Sequence, residues 1–451
     1  MKSKLLLAGL CMSSLVAQAQ FVDGGTFADP ALRSPLVAVE FTGQRCRYCP
    51  NMARALKDNQ NRYGADNFLI AALHHLTSFS LIGGNHVSLY NKEAEAYATS
   101  IDIHEGVPQL VYNTLGPIVS DLTVDQKYQQ PDLLECIGAV KMTGDRVYDI
   151  QFQTRLRSDR QEFIKGKKID VVIWALENDI VALQDDNGRW TFPKHQHIFR
   201  GSLNGTWGEP YEIGTTYHQS FAVPAAVSEV GNTDLLIFFM DHDSRTVYDA
   251  AQFHLISTHA AQNLGGALAT FSSEFPTTPS IEGVRAFYAA DVNGNGKVQM
   301  KEIQPSGNGK LVVPAHTGVI LQTATPQIFN MLECGGEEVT MNNLLQPTGM
   351  RAVEVPTEQN AYVLGEQEGV TAFYKLKADE RNIKAYHAYL SLPLAAASGK
   401  LDIDMGDLTG IEGPAMVEGT AGRTYDLSGR LVAHPAKGGV YIQNGKKFIV
   451  K

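Results

Sequence analysis

Pro35-Leu36-Val37-Ala38-Val39-Glu40-Phe41-Thr42-Gly43-Gln44-Arg45-Cys46-Arg47-Tyr48-Cys49-Pro50 begins as a short apolar, β-branched run. It stops at Gly43, as a buried strand would. A CxxC pair follows at once. Pro50 to Leu56 carries apolar residues at helical spacing, continuing to about Tyr63 before Gly64 ends the helix. Residues 67–74 (NFLIAALH) read as a second strand. The order strand, CxxC, helix, strand is followed by an insertion broken at Gly83-Gly84 and by Leu89 to Ser100, which reads as helix through Ala94, Ala96 and Ala98. Val107-Pro108 then precedes a further strand about sixty residues after the cysteines, and an amphipathic stretch, Pro131 to Val140, closes the unit. This pattern predicts a thioredoxin-like α/β domain over residues 20–141.

Outward from that unit the chain becomes β-rich. Alternating runs at Val147–Phe152, Asp170–Leu176 and Leu235–Met240, separated by turn-rich segments, predict an all-β sandwich over 142–261. Lys310–Val313, Gly318–Gln322 and Tyr362–Leu364 predict short strands in a second β-rich module over 262–410. Residues 411–451 read as a hairpin tail, because Asn444-Gly445 between two apolar-bearing runs suits a type I′ turn. A length of 451 residues, 44% hydrophobic and 19% charged, accommodates several such modules.

Met1-Lys2-Ser3-Lys4, an apolar run from Leu5 to Val16 and Ala17-Gln18-Ala19 form the pattern of a signal peptide, with cleavage expected after Ala19. The run is too short to span a bilayer, and Leu10 is too bulky a neighbour for lipidation at Cys11. Cleavage would remove two lysines and no acid from a chain of net charge −10, so nucleic acid is not an expected partner. Export would put Cys46, Cys49, Cys136 and Cys334 in an oxidising compartment.

A CxxC at the start of a helix suits thiol–disulfide exchange. Cys46 at the helix N-terminus meets unpaired N–H groups that stabilise a thiolate, Arg45 and Arg47 add positive charge, and Cys49 is placed to resolve a mixed disulfide. Cys46 is therefore expected to be the exposed, reactive sulfur and Cys49 the buried one. Val107 and Pro108 are expected to offer backbone groups to a bound peptide. Two readings stay open: an oxidoreductase acting on protein or peptide substrates, and a non-catalytic surface interaction protein that keeps the fold as a scaffold.

Other clusters carry less. A metal at the pair needs two more ligands, and His74-His75 supplies one, since adjacent strand residues point to opposite faces. No metal and no cofactor are expected. Asp291 to Glu302 matches a calcium loop at positions 1, 3, 5, 6 and 12, but its flanks read as strands, which makes a hairpin turn the simpler reading. His195-Gln196-His197 puts two imidazoles on one face of a possible strand, and Asp241-His242-Asp243 ends another; paired, they could ligate zinc or iron, but solvated loop ends are the simpler expectation. Trp190, Trp207 and Phe192 are expected to pack in a core or turn.

Residues 40–50 (EFTGQRCRYCP), with His74 closing the next strand, resemble the 28-kilodalton outer-membrane protein family of oral and gut anaerobes. Residues 197–208 (HIFRGSLNGTWG) are similar to the second, β-rich part of that family, so the resemblance covers about residues 20–258. It implies a thioredoxin-like domain followed by a β-sandwich at the cell envelope, in the outer membrane, at the surface or in the periplasm, among envelope-protein partners. Arg47 and Tyr48 stand at the variable middle of the motif. Residues 283–288, 312–319 and 425–430 resemble β modules that end surface proteins of these bacteria, and the tail is similar to outer-membrane sorting tails but shorter.

Overall fold

The computed structural model describes residues 35–80, 82–103, 106–116, 133–143, 146–157, 160–294, 296–306, 309–334, 341–392, 399–406, 424–426, 440–443 and 446–449. The signal-peptide reading of residues 1–19 lies outside them. Residues up to Asp404 form one compact unit, and those from Met405 a second. In the second unit Thr424–Asp426, Val440–Gln443 and Lys446–Ile449 make an antiparallel sheet in that order. Its Asn444-Gly445 turn lies outside the described residues.

The elements around the cysteines are β1 (Leu36–Phe41), α1 (Cys49–Tyr63), β2 (Phe68–Leu73), α2 (Thr77–Ser80), α3 (Ala94–Ser100) and β3 (Gln109–Tyr112). β1 runs parallel to β2 and antiparallel to β3. The helix predicted from Leu89 begins only at Ala94. Upstream, the Leu89 amide is drawn into a 2.8 Å hydrogen bond with Oε1 of Gln44, which holds residues 87–89 against the loop before Cys46.

The β-rich part follows as β4 (Leu134–Met142), β5 (Val147–Leu156), β6 (Ile169–Glu177), β7 (Ile180–Val181), β8 (Gln184–Asp186), β9 (Arg189–Thr191), β10 (Lys194–His195), β11 (Ile198–Ser202), β12 (Glu209–Pro210), β13 (Thr216–Ala222), β14 (Thr233–Asp241) and β15 (Val247–His254). The amphipathic stretch 131–140 is thus a strand from Leu134 onward, and it pairs with β5.

Both parts share one sheet. Its order is β15-β14-β6-β11-β2-β1-β3, joined where Ile198 of β11 pairs with Ala72 of β2. The runs in β6 and β14 are continuously apolar because both of their faces are buried. Val172, Trp174, Leu176, Leu236, Phe238 and Met240 face a core that also contains Val37, Phe41, Leu73 and, from α3, Tyr97 and Ala98. Val171, Ile173, Leu235, Ile237 and Phe239 face the opposite way, onto Val140, Ile150 and Phe152 of a second sheet. The far side of β1 and β2 is covered by α1 through Leu56 and Tyr63.

Residues 259–404 add a ten-stranded sheet. It contains the predicted strands at 318–322 and 362–364 within Val319–Thr323 and Asn360–Gln367. Lys310–Val313 is not a strand; Val313 makes only an isolated bridge to Thr277. The calcium-like stretch joins the antiparallel strands Arg285–Val292 and Lys297–Glu302, as its flanks suggested. Its last carboxylate, Glu302, is engaged by Arg285 at 2.6 and 2.7 Å.

Candidate functional site: the disulfide and its surroundings

Cys46 and Cys49 form a disulfide with their Cα atoms 5.4 Å apart. Cys49 is the first residue of α1, Pro50 follows where its missing N–H costs nothing, and no acid stands in the first turn to offset the positive end of the helix dipole. The Cys49 N–H points at the Cys46 sulfur over 3.2 Å. The Val107–Pro108 peptide is cis. The Val107 carbonyl oxygen lies 3.3 Å from the Cys46 sulfur, so the predicted proline loop does face the pair. Arg45 and Arg47 are exposed beside it.

One expectation fails. Cys46 is only 3% exposed and Cys49 2%, so both sulfurs are buried, not Cys49 alone. The cause lies in contacts that no local pattern encodes. Gln44 is fully buried and fastens the loop sideways, donating to the carbonyls of Val87 and Leu183 at 3.0 Å each. The β8–β9 hairpin then lies along the loop: the Asp185 N–H donates to Gln44 O at 2.8 Å and the Asn187 N–H to Arg47 O at 3.0 Å. Gly43 leaves no room for a side chain, since a Cβ there would stand 2.7 Å from Phe79 Cβ.

Glu40 of β1 is 3% exposed and its Oε1 has no hydrogen-bond partner among the described residues. Burial pushes its carboxyl up to about 7, against a weaker opposing hydrogen bond from Thr42. A carboxylate in an otherwise apolar strand was the signal for this residue, and the sequence reading passed over it. Glu40 and Cys49 both line a cavity of about 750 Å³, together with Gln184, His74, His195 and His197.

The histidines are held neutral. Burial takes His74 well below its ordinary range, with the nearby His195 and Arg200 adding to the effect. It brings His195 and His197 down to about 4. His197 has φ 56°, which breaks the alternation that would have put it on one strand face with His195. His254 is the contrast: Asp234 at 3.1 Å, with Asp66 beyond, overcomes burial and raises it to about 10. His242 is hydrogen-bonded to Asp170 at 2.7 Å, and the Asp241 carboxylate accepts from Ser244 and Tyr248. Among the described residues no three or more His, Cys, Asp or Glu side chains gather as a metal site.

Trp190 and Phe192, expected in a core or turn, are 52% and 60% exposed, because their segment lies on the surface. Trp207 does pack, 5.2 Å from Tyr97 and under the Arg245 guanidinium.

No family model matches the chain, and no curated protein matches it. Solved structures similar to the chain include two from Porphyromonas gingivalis. HBP35 of Porphyromonas gingivalis is 14% identical, with a TM-score of 0.38 over 68% of this chain and 100% of that one. A domain of the outer membrane lipoprotein Omp28 from Porphyromonas gingivalis is 21% identical, with a TM-score of 0.20 over 27% of this chain and 88% of that one.

Proposed function

We propose that the chain is an exported cell-envelope protein whose first part is thioredoxin-like and whose Cys46–Cys49 pair exchanges disulfides with protein or peptide substrates. The observation that carries this reading is the convergence of two groups on one disulfide. The Cys49 N–H at the start of α1 meets the Cys46 sulfur and the Val107 carbonyl flanks it, while the buried Glu40 lines the same cavity as Cys49. The residue pattern of positions 1–19 supports export.

In the oxidising direction a substrate thiolate attacks the Cys46 sulfur, and the Cys46–Cys49 bond breaks with its electron pair on the Cys49 sulfur. A second substrate thiol then attacks the substrate sulfur of the mixed disulfide and releases Cys46. Two electrons and two protons pass from the substrate dithiol to the pair, and no cofactor enters. Glu40, with a carboxyl that titrates near neutrality, suits the transfer of a proton to and from Cys49. Val107 and Pro108 receive the substrate backbone, and Arg45 and Arg47 add positive charge at the rim.

The test is turnover on a peptide disulfide by the full chain, with Cys46→Ser as control. Turnover abolished in the variant supports the reading, and none in the wild type overturns it. The scaffold reading is favoured by the burial of both sulfurs. In that case the pair is a staple, and binding belongs to the β-rich parts.

A further inference from the structure

We infer that Gln184 and the β8–β9 hairpin are part of the site: they position the CxxC loop and determine which partners reach Cys46, admitting small thiols ahead of proteins. This rests on the exchange reading. The hairpin lies some 140 residues from the cysteines in sequence, yet its polar groups are spent on their loop. The Gln184 amide, in a residue 5% exposed, donates to the carbonyls of Gly43 at 3.3 Å and Cys46 at 3.2 Å. Asp185 and Asn187 pair their main-chain N–H groups with Gln44 and Arg47. Asp186 forms a salt bridge with Arg54 on α1 at 3.2 Å.

The arrangement has a chemical consequence. A protein substrate received at Val107 and Pro108 would also have to pass beside the loop, where the hairpin lies and already takes the Gln44 and Arg47 carbonyls. A small thiol needs only a path to one sulfur atom, whereas a protein needs room beside the loop. Elsewhere the hairpin's flanks are held by two β7–β10 residue pairs, an Ala182 N–H to Pro193 O contact at 3.4 Å, and the packing of Ile180 and Ala182 with Ala72, Leu89 and Ile198. The Asp185 and Asn187 contacts to the loop are single hydrogen bonds and the Asp186 pair with Arg54 of α1 is partly exposed, each individually weak enough to open, while Gln184 holds two loop carbonyls at once.

The experiment measures how fast the oxidised full-length chain is reduced by dithiothreitol and by a reduced protein dithiol, with acid quenching and mass spectrometry of the pair. Gln184→Ala and Arg54→Ala are compared with the wild type; Arg54 lies on the exposed side of α1, so its variant keeps the test informative should Gln184→Ala fail to fold. Each should raise the protein-dithiol rate more than the dithiothreitol rate, by about tenfold for Gln184→Ala, the equivalent of about 1.4 kcal/mol. Equal acceleration by both reductants, or no change in their ratio, overturns the inference. Turnover on a peptide disulfide is read separately. Its absence alongside a changed ratio defeats the exchange reading and leaves the clamp, whereas turnover with an unchanged ratio defeats the clamp alone.

Discussion

The indole Nε1 of Trp174 donates a 2.9 Å hydrogen bond to the hydroxyl of Tyr97, which in turn donates to Thr206 O at 2.6 Å. Tyr97 belongs to α3 beside the CxxC unit, and Trp174 to the central strand of the β-rich part. Both are fully buried, with rings 4.7 Å apart. Trp174→Ala should therefore cost about 3–5 kcal/mol and loosen both parts together. Urea unfolding followed by hydrogen exchange checks this: protection should fall in β1 and β2 as well as β6. Loss confined to β6 would show that the two parts unfold independently.

Arg200 and Glu177 form an ion pair at 2.6 Å with side chains 5% and 1% exposed. The second Glu177 oxygen accepts from the amides of Ser228 and Glu229 at 2.8 and 2.7 Å. Removing the cation strands a buried carboxylate, so Arg200→Ala should destabilise by about 3–5 kcal/mol. Replacing both partners by apolar residues should cost less, and chemical denaturation of the two variants compares them. A double variant worse than Arg200→Ala would refute the argument.

Glu40 makes stability depend on pH. Its unfolded carboxyl ionises at about 4.3, whereas burial holds the folded one at about 7. Between those values the unfolded chain has released a proton that the folded chain keeps, so this residue's contribution to stability falls as pH rises, by on the order of 3 kcal/mol in all. Glu40→Gln abolishes that slope. The variant should gain on the wild type between pH 4 and pH 8 in denaturant midpoints, and parallel profiles would rule out the buried acid.

The local elements were legible because their signals are local. The apolar run 35–42, the Pro50 start and Gly64 stop of α1, and the continuous runs of β6 and β14 each appear in a short window. The joining of β2 to β11 was not legible: it rests on one residue pairing between strands more than a hundred residues apart, and neither strand announces a partner. Cys46, Cys49 and the Val107–Pro108 loop were found from spacing and meet in space. Gln184 could not be found, because a glutamine in a hairpin looks the same whether its amide faces water or two loop carbonyls. The burial of Cys46 was missed for the same reason, since the contacts around its loop come from residues distant in sequence.

Reduction of the pair should leave Cys46 with a thiol pKa below the ordinary value of about 8.5. Three effects compete at its sulfur. The Cys49 N–H at 3.2 Å, at the start of a 15-residue helix, favours the thiolate. Burial and the Val107 carbonyl at 3.3 Å oppose it. The exposed charges of Arg45 and Arg47 act through water and add little. We expect the hydrogen bond to the charged form, reinforced by the helix dipole, to outweigh burial and the one carbonyl, which leaves the thiolate favoured. Iodoacetamide alkylation of the reduced chain across pH, read by mass spectrometry, should give a depressed Cys46 pKa with a slow limiting rate, because the sulfur is buried. Arg47→Ala should move that pKa less than a substitution that disturbs the start of α1. A depressed pKa stabilises the reduced form and makes the disulfide the stronger oxidant, which directs the pair toward forming disulfides in its substrates. If Cys46 titrates at or above 8.5, or Cys49 reacts first, that mechanism fails and the pair is better understood as a staple.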